Sequence, residues 1–431
     1  MKMVKILSLL IPFTILFGCC QKNNTINTSD GLVTSLSPLW SSKASNDENW
    51  NDGYEINTPV IDGGNVLVST VFNKYQVFKM LNVQNGNTVW EFNDFFRKLT
   101  YDKVNYPIEY PLVNDHKMFW VSGTEIYNID LTNGNTIWKT NSNDFFSYRC
   151  NGIGNNLLLP YRGNINDQGE LPLGAELYIC DKTTGKAQFL TRPKYDTTNV
   201  LANTGRNGNI LSTAPFINPT GDTMLVVSFT DPPIKNYLWR DNFGVYNLSK
   251  RVWQIDKILV GPPTVTGLSF IPIIKDGKVF HCKHSHVTCH DIYTGELKWD
   301  FNFGDVDFSF SGILVQNGKV FANASDQIMH CIDIATGNEL WKGEGSGTSS
   351  QMAYLNGIVY FVGGGDGFLH GMEEGTGKTI WKIRSPDIGV VINKVYPSFT
   401  RFCAVVPGIN GAKGRIVTHT GYNIYCFEAA K

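Results

Sequence analysis

Short apolar runs alternate with polar turns along almost the whole chain, and the order of the pieces repeats. Gly312–Val315 is followed by Lys319–Ala322, then Ile328–Ile332, then Asp333-Ile334-Ala335-Thr336-Gly337-Asn338-Glu339-Leu340-Trp341. Each run is too short for a helix and long enough for a strand. The last nine residues recur as Asn82–Trp90 (NVQNGNTVW), Asp130–Trp138 (DLTNGNTIW), Asp291–Trp299 (DIYTGELKW) and Glu373–Trp381 (EEGTGKTIW), with a weaker copy at Asp181–Phe189 (DKTTGKAQF). In every copy the polar residue stands eight places, and the glycine four places, before the aromatic. Gly and Asn supply the positive φ of a tight hairpin, and a fixed turn length fixes the register of the two strands. The aromatic is therefore expected to point the same way in each copy. Four strands in a repeat of about 40–50 residues predict an all-β fold, a β-propeller of four-stranded blades.

Three further positions extend the series. Trp253 closes a divergent copy, Val245–Trp253, whose turn is two residues shorter. Trp40 has the strand without the turn, while Arg415–Thr418 and Asn423–Glu428 supply two strands and then stop. The fragments complement each other: the strand around Trp40 is expected to become the outer strand of the final blade, closing the ring and removing an open edge. The docking aromatics are then Trp40, Trp90, Trp138, Phe189, Trp253, Trp299, Trp341 and Trp381, which predicts eight blades and uses seven of the ten tryptophans as packing residues.

The unit D-x-x-T-G-x-x-x-W, running from about Leu32 to Glu428, resembles the quinoprotein-type (PQQ-like) propeller repeat. That resemblance implies two branches: quinone-dependent dehydrogenases, and non-enzymatic eight-bladed lipoproteins like the outer-membrane assembly factor BamB. The dehydrogenase branch is expected to stack its cofactor on a Trp beside a ring of neighbouring cysteines, with Glu, Asn and Asp around calcium. The adjacent cysteine pair here, Cys19-Cys20, lies outside the repeats, and no local motif marks a catalytic base, phosphate loop or calcium ligand. The expectation is thus a non-enzyme with no cofactor and no catalytic residues.

Composition adds an address. Met1–Lys5 is basic, Ile6–Phe17 is apolar, and Gly18-Cys19 follows, the plan of a secretory signal peptide over residues 1–18. Leu16–Cys19 resembles a lipobox, which implies acylation at Cys19, a lipid anchor and an outer-membrane location, periplasmic or surface-facing. Residues 19–30 are polar and read as a flexible tether, leaving 31–431 for the propeller. Loss of residues 1–18 moves the formal charge from −1 to −3, and neither value suits a nucleic-acid partner.

Two groups of cysteine and histidine invite a redox or metal reading. Cys289, Cys331 and Cys426 share one place in the repeat, held by Gly371 in another copy, and are expected to be small packing residues. His281, Cys282, His284, His286, Cys289 and His290 crowd into one segment. Strand alternation would part their side chains, leaving the turn histidines as the ones able to converge, so no metal site is expected.

In a propeller the Thr-Gly turns lie on one face, and the strand-two-to-three loops and blade connections lie on the other. The first set is nearly uniform here and the second is not, and function sits in loops that vary on a rigid scaffold. Arg162–Gly174 is long and polar, and Asn93–Phe96 and Asn143–Phe146 repeat Asn-Asp-Phe-Phe, loosely echoed at Asp305–Phe308. Thr230–Asn242 carries Tyr237, Leu238, Trp239 and Arg240, residue types enriched at interaction hot spots. A loop with Pro232-Pro233 is hard to bury, so these four are the expected partner-binding residues. The expected partners are other proteins, with outer-membrane barrel-assembly components first. A glycan stacked on Trp239 is the alternative, and a quinone-dependent dehydrogenase is the other.

Overall fold

The computed structural model describes residues 31–44, 59–72, 75–92, 111–122, 125–141, 150–161, 174–196, 198, 208–234, 238–264, 271–304, 312–347, 350–387, 398–399, 402–420 and 422–431. The expected signal segment, the tether with Cys19, Tyr237 and the Asn-Asp-Phe-Phe connections lie outside them, as do residues 162–173 of the blade 3 loop. The described residues form eight four-stranded antiparallel sheets, the eight blades of a propeller. Among them no helix is long and apolar enough to cross a membrane.

Seven blades are built from consecutive strands, and the eighth is shared between the chain ends. Its outer strand is Trp40–Lys43, paired with Asn423–Glu428 so that Trp40 faces Cys426. The segment before it adds a second tie. Val33 forms a parallel bridge to Trp381 on the outer strand of blade 7, donating to Ile380 O at 2.9 Å and accepting from Lys382 N at 2.9 Å. Closure is completed by Arg415, whose Nη1 reaches Val83 O at 2.7 Å, the same carbonyl that accepts the Trp40 indole N–H at 2.7 Å.

The repeated turn does what its chemistry predicts. In the copy at Asp333, the carboxylate accepts from Ala335 N at 3.0 Å and from Thr336 N at 2.8 Å, and Gly337 N returns to Asp333 O at 2.9 Å with φ +74°. One residue of the next strand bulges, so that Cys331 faces Trp341 and Ile332 faces Glu339. The bulged residue points outward: Val89, Ile137 and Leu340 are about half exposed.

This register presents each Trp to the turn of the following blade. The indole N–H donates to the carbonyl of the residue after the turn's acidic or amide residue: Trp90 to Leu131, Trp138 to Lys182, Trp299 to Ile334 and Trp341 to Glu374, at 2.7 to 3.2 Å. The ring covers the turn glycine so closely that a Cβ on Gly86, Gly134, Gly337 or Gly377 would stand 2.5 to 2.8 Å from it. Trp381 is buried with Ile416, Tyr425, Phe427 and Ala429 of blade 8.

Two members of the expected series depart from it. Phe189 is out of the standard register: the bulge falls two residues later, at Leu190, so Phe189 faces Tyr178 where the regular aromatics face the residue two before the turn's acidic or amide residue, and it is 53% exposed. A one-residue shift turns the side chain to the other face, and the shortened turn of blade 4 at Ser249–Arg251 contains no glycine for a ring to cover. Trp253 packs backward instead, against Tyr246 at 5.2 Å, with its indole N–H on Thr191 Oγ1 of blade 3 at 2.9 Å. Ile258 takes over the forward contact, 2.7 Å from where a Cβ on Gly295 would be.

All seven described cysteines are buried free thiols. Cys289, Cys331 and Cys426 pair across the sheet with Trp299, Trp341 and Trp40, and Gly371 pairs with Trp381, so the shared place is a seat beneath the docking indole. Burial pushes the Cys289, Cys331 and Cys426 thiols up to about 11, 12 and 11, which removes thiolate chemistry near neutral pH.

Candidate functional site on the irregular face

Blade 4 carries the loop singled out by sequence. It joins Thr223–Thr230 to Asp241–Asn247, and its ends are tied by Asp231 N to Arg240 O at 3.0 Å. Asp231, Pro232 and Pro233 are buried, which corrects the expectation that a loop with two prolines would stand clear of the body. Charge anchoring is the physical cause. Asp231 accepts Asn242 Nδ2 at 3.0 Å and the backbone N–H of Asp196 at 2.7 Å, and Lys257 Nζ lies 3.4 Å from both its oxygens. Arg240 bonds Asp196 through Nη1 to Oδ2 at 2.5 Å and Nη2 to the carbonyl at 3.0 Å, with Nε 3.8 Å from Asp231. Hydrogen bonds from Thr198, then the Arg240 charge, hold the Asp196 carboxyl down at about 2.

Beneath this layer sits a second ion pair. Lys283 and Asp241, both fully buried, meet at 2.9 Å, and Lys283 also donates to Val260 O at 3.1 Å and Pro262 O at 2.6 Å. Burial lowers the Lys283 ammonium from its ordinary range, with Asp241 opposing the shift. Trp239 exchanges backbone hydrogen bonds with Thr264 of the connection to blade 5, at 2.7 and 3.2 Å.

Of the four residues expected to bind a partner, Leu238 and Trp239 are half-buried and present partial side-chain surface, while Arg240 is spent on the internal network. Tyr237 is outside the described residues. The site is a shaped, charge-balanced platform: each carboxylate named here faces a cation or several N–H donors. Such an arrangement ties the described ends of the loop to the body of the propeller.

The crowded histidines of blade 5 resolve differently from the alternation argument. Cys282 and Cys289 point into the apolar cluster shared with blade 6, whereas His281 and His290 lie together on the other side, 6.2 Å apart between ring centres and both against Phe243 of blade 4. The strand histidines converge, through a diagonal cross-strand relation, and His286, which opens the strand His286–Asp291, turns away to Asp300 at 2.8 Å. Among the described residues no group of three or more metal-ligating side chains assembles.

Sequence reasoning missed one feature of the same face. In the strand-two-to-three loops of blades 6 and 7, Asp326 faces His330 Nε2 at 3.1 Å and Asp366 faces His370 Nε2 at 3.0 Å. Burial works against the Asp366 charge, but His370 overcomes it and holds the carboxyl below its usual range. The signal was an Asp-x-x-x-His at the same repeat position in ASDQIMH and GGDGFLH. His370 lies flat on Phe361, ring centres 4.6 Å apart, so the pair closes its loop inward.

Comparison with known proteins agrees with this architecture. Residues 226–421, from the second strand of blade 4 to the end of blade 8's second strand and the loop after it, match the family model described as outer membrane protein assembly factor BamB. No curated protein sequence matches the chain. Among solved structures, the quinohemoprotein alcohol dehydrogenase from Comamonas testosteroni is similar at 12% identity and TM-score 0.65, over 92% of this chain and 76% of that one. A europium-containing methanol dehydrogenase gives 12% identity and TM-score 0.60, over 90% and 85%. BamB from Moraxella catarrhalis gives 12% identity and TM-score 0.47, over 77% and 96%. For the two dehydrogenases, at such identities, the structural likeness is one of fold. The chain is an eight-bladed propeller whose residues 226–421 match the model described as outer membrane protein assembly factor BamB.

Proposed function

We propose that this protein is a non-enzymatic scaffold, anchored through a lipid on Cys19 at the outer membrane, that docks other proteins on its irregular face. The partners are components of outer-membrane β-barrel assembly. The observation that carries the reading is the contrast between the two faces. Six copies of one turn make one face uniform, while the blade 4 loop on the other is held by Asp231, Arg240 and Asp196 with Leu238 and Trp239 partly at its surface. Rigid aromatic surface on a pre-organised loop is what a protein-docking site requires. The match to a family model described by BamB supports the choice of partner class.

The test replaces Leu238 and Trp239 by Ala, leaves Arg240 in place, and measures affinity for purified barrel-assembly components. A loss of about tenfold or more is expected from truncating hot-spot residues. Wild-type affinity in the folded variant counts against this surface. Fatty-acid labelling that survives Cys19→Ala removes the anchor. Quinone and calcium uptake with dye-linked turnover of an alcohol or sugar removes the non-enzymatic part.

A further inference from the structure

The seams between blades are built on one plan, which makes a departure in any one of them legible. Between blades 6 and 7, Glu374 follows the turn residue Glu373 and its carboxylate fills the seam. It accepts from Lys319 Nζ at 2.9 Å, Tyr354 OH at 2.6 Å and Asn317 Nδ2 at 3.1 Å. Between blades 2 and 3 the register places Lys117 where Lys319 stands, since each opens its second strand opposite Asp130 or Asp333. Lys182 occupies the place of Glu374, one residue after Asp181, and takes the Trp138 indole as Glu374 takes that of Trp341. Gly152, the middle of its strand, occupies the place of Tyr354.

Two substitutions have thus changed what fills the seam. In place of the phenol, Leu112 Cδ2 and Lys182 Nζ stand 2.9 and 3.2 Å from where a Cβ on Gly152 would be, the carboxylate is replaced by this second ammonium, and beside them lies a cavity of about 210 Å³ whose lining includes Asn114, Asp115, Lys117, Asn155, Lys182 and Thr183. Lys182 is 7% exposed, and its Nζ donates to Gly154 O at 2.8 Å and lies 5.5 Å from the Phe119 ring centre. A buried ammonium has three donors, and one carbonyl and a ring face leave it under-neutralised. Asp115 offsets one of the two lysine charges, so the lining keeps a net positive charge. Burial lowers the Lys182 ammonium, and Lys117 adds to the shift while Asp115 opposes it.

We infer that the blade 2/3 seam is a binding site for a small carboxylate ligand, whose carboxylate sits between Lys117 and Lys182 as that of Glu374 sits between Lys319 and Tyr354. The cavity is sized for a short-chain acid and too small for a cofactor. The site lies on the Thr-Gly-turn face, away from the blade 4 platform, and stands independently of the docking function proposed above.

Succinate titrated into the full-length protein in detergent, at ionic strength held constant with chloride, tests it by calorimetry, with inorganic phosphate as the parallel arm. Saturable succinate binding that exceeds phosphate is expected. Lys117→Met, on an exposed side chain, should weaken it about tenfold or more, the scale of one charge-assisted hydrogen bond. The double variant Gly152→Tyr/Lys182→Glu copies the blade 6/7 seam and should abolish binding. No saturable heat, stronger phosphate binding, or unchanged succinate affinity in Lys117→Met overturns the assignment.

Discussion

Replacing Gly337 by Ala separates the two demands that the repeated turn makes on its glycine. One is backbone conformation: φ is +74°, a region that costs an L-residue about 1–2 kcal/mol. The other is the indole above it. An added Cβ would stand 2.6 Å from Cγ of Trp299, a ring held from the far side by its hydrogen bond to Ile334 O at 3.1 Å. Displacing that ring adds roughly 1–3 kcal/mol of overpacking and about 1 kcal/mol of lost hydrogen bond. Gly63→Ala is the control, because φ is +58° there and nothing lies within 4 Å of the added carbon. The control should cost about 1–2 kcal/mol, and Gly337→Ala about 2–4 kcal/mol more, or roughly 30- to 900-fold in the local opening equilibrium. Each blade contacts its neighbours alone, so a global midpoint would dilute the effect. Hydrogen exchange on the strand Leu297–Asn302, which carries Trp299, reads it directly. Adding Trp299→Val should remove most of the excess, because the clash is then gone. Equal costs at Gly337 and Gly63 would refute the docking account, whatever the overall stability.

Three other outcomes follow from the same geometry. His281, His290 and His419 are buried, and desolvation holds their imidazoles at about 3, 4 and 3 against 6.5 when unfolded. Their contribution is therefore complete at neutral pH and is lost as pH falls below 6.5. By pH 5 each costs about 2 kcal/mol, about 6 kcal/mol together, and a denaturant midpoint that stays flat from pH 7 to 5 contradicts this. Lys283→Met leaves the Asp241 carboxylate buried without its cation and should cost about 3–5 kcal/mol, while Lys283→Met/Asp241→Leu should recover most of it; a double variant as unstable as the single one rejects the pairing. Trp40→Ala should cost about 3–5 kcal/mol and expose the chain ends to protease, whereas Val33→Pro, which removes one bridge donor, should cost about 1 kcal/mol; similar losses at both would place ring closure elsewhere.

What could be read in advance was whatever depends on neighbours along the chain. An Asp followed by Thr-Gly sets its own turn, the turn sets the register, and the register sets where the Trp points, so the blade count and the closure through Trp40 came out of spacing alone. Phe189 shows the limit. Its turn is regular, but the bulge after it is displaced to Leu190, and blade 4 offers no glycine turn some sixty residues later. Trp253 turns back for the complementary reason, its shortened turn changing the register that aims the ring. The blade 4 loop was harder still. Its composition announced exposure, but Asp231 and Arg240 are held by Asp196, 35 and 44 residues earlier in the chain, and no local pattern records that. His281 and His290 met because diagonal neighbours across a twisted pair share a face, which counting alternation along one strand cannot show.

These misses share a cause that bears on where activity resides in such a ring. A repeat fixes backbone geometry at every seam, so a seam's chemistry reduces to the side chains at a few equivalent places. At the place after the turn's acidic or amide residue the chain writes Val83, Leu131, Ile292 and Ile334, apolar fillers that dock a neighbour and do nothing else. Glu374 and Lys182 stand in the same place, and their difference is one of partners: Glu374 came with Lys319 and Tyr354, whereas Lys182 came with Lys117 and Gly152. A polar residue matched within its seam is structural, and one left facing a like charge and an empty volume calls for something from outside. The Asp241–Lys283 pair satisfies its own demand in the blade 4/5 seam. In the blade 2/3 seam the demand is open, and there the fold by itself gives the side chains no answer.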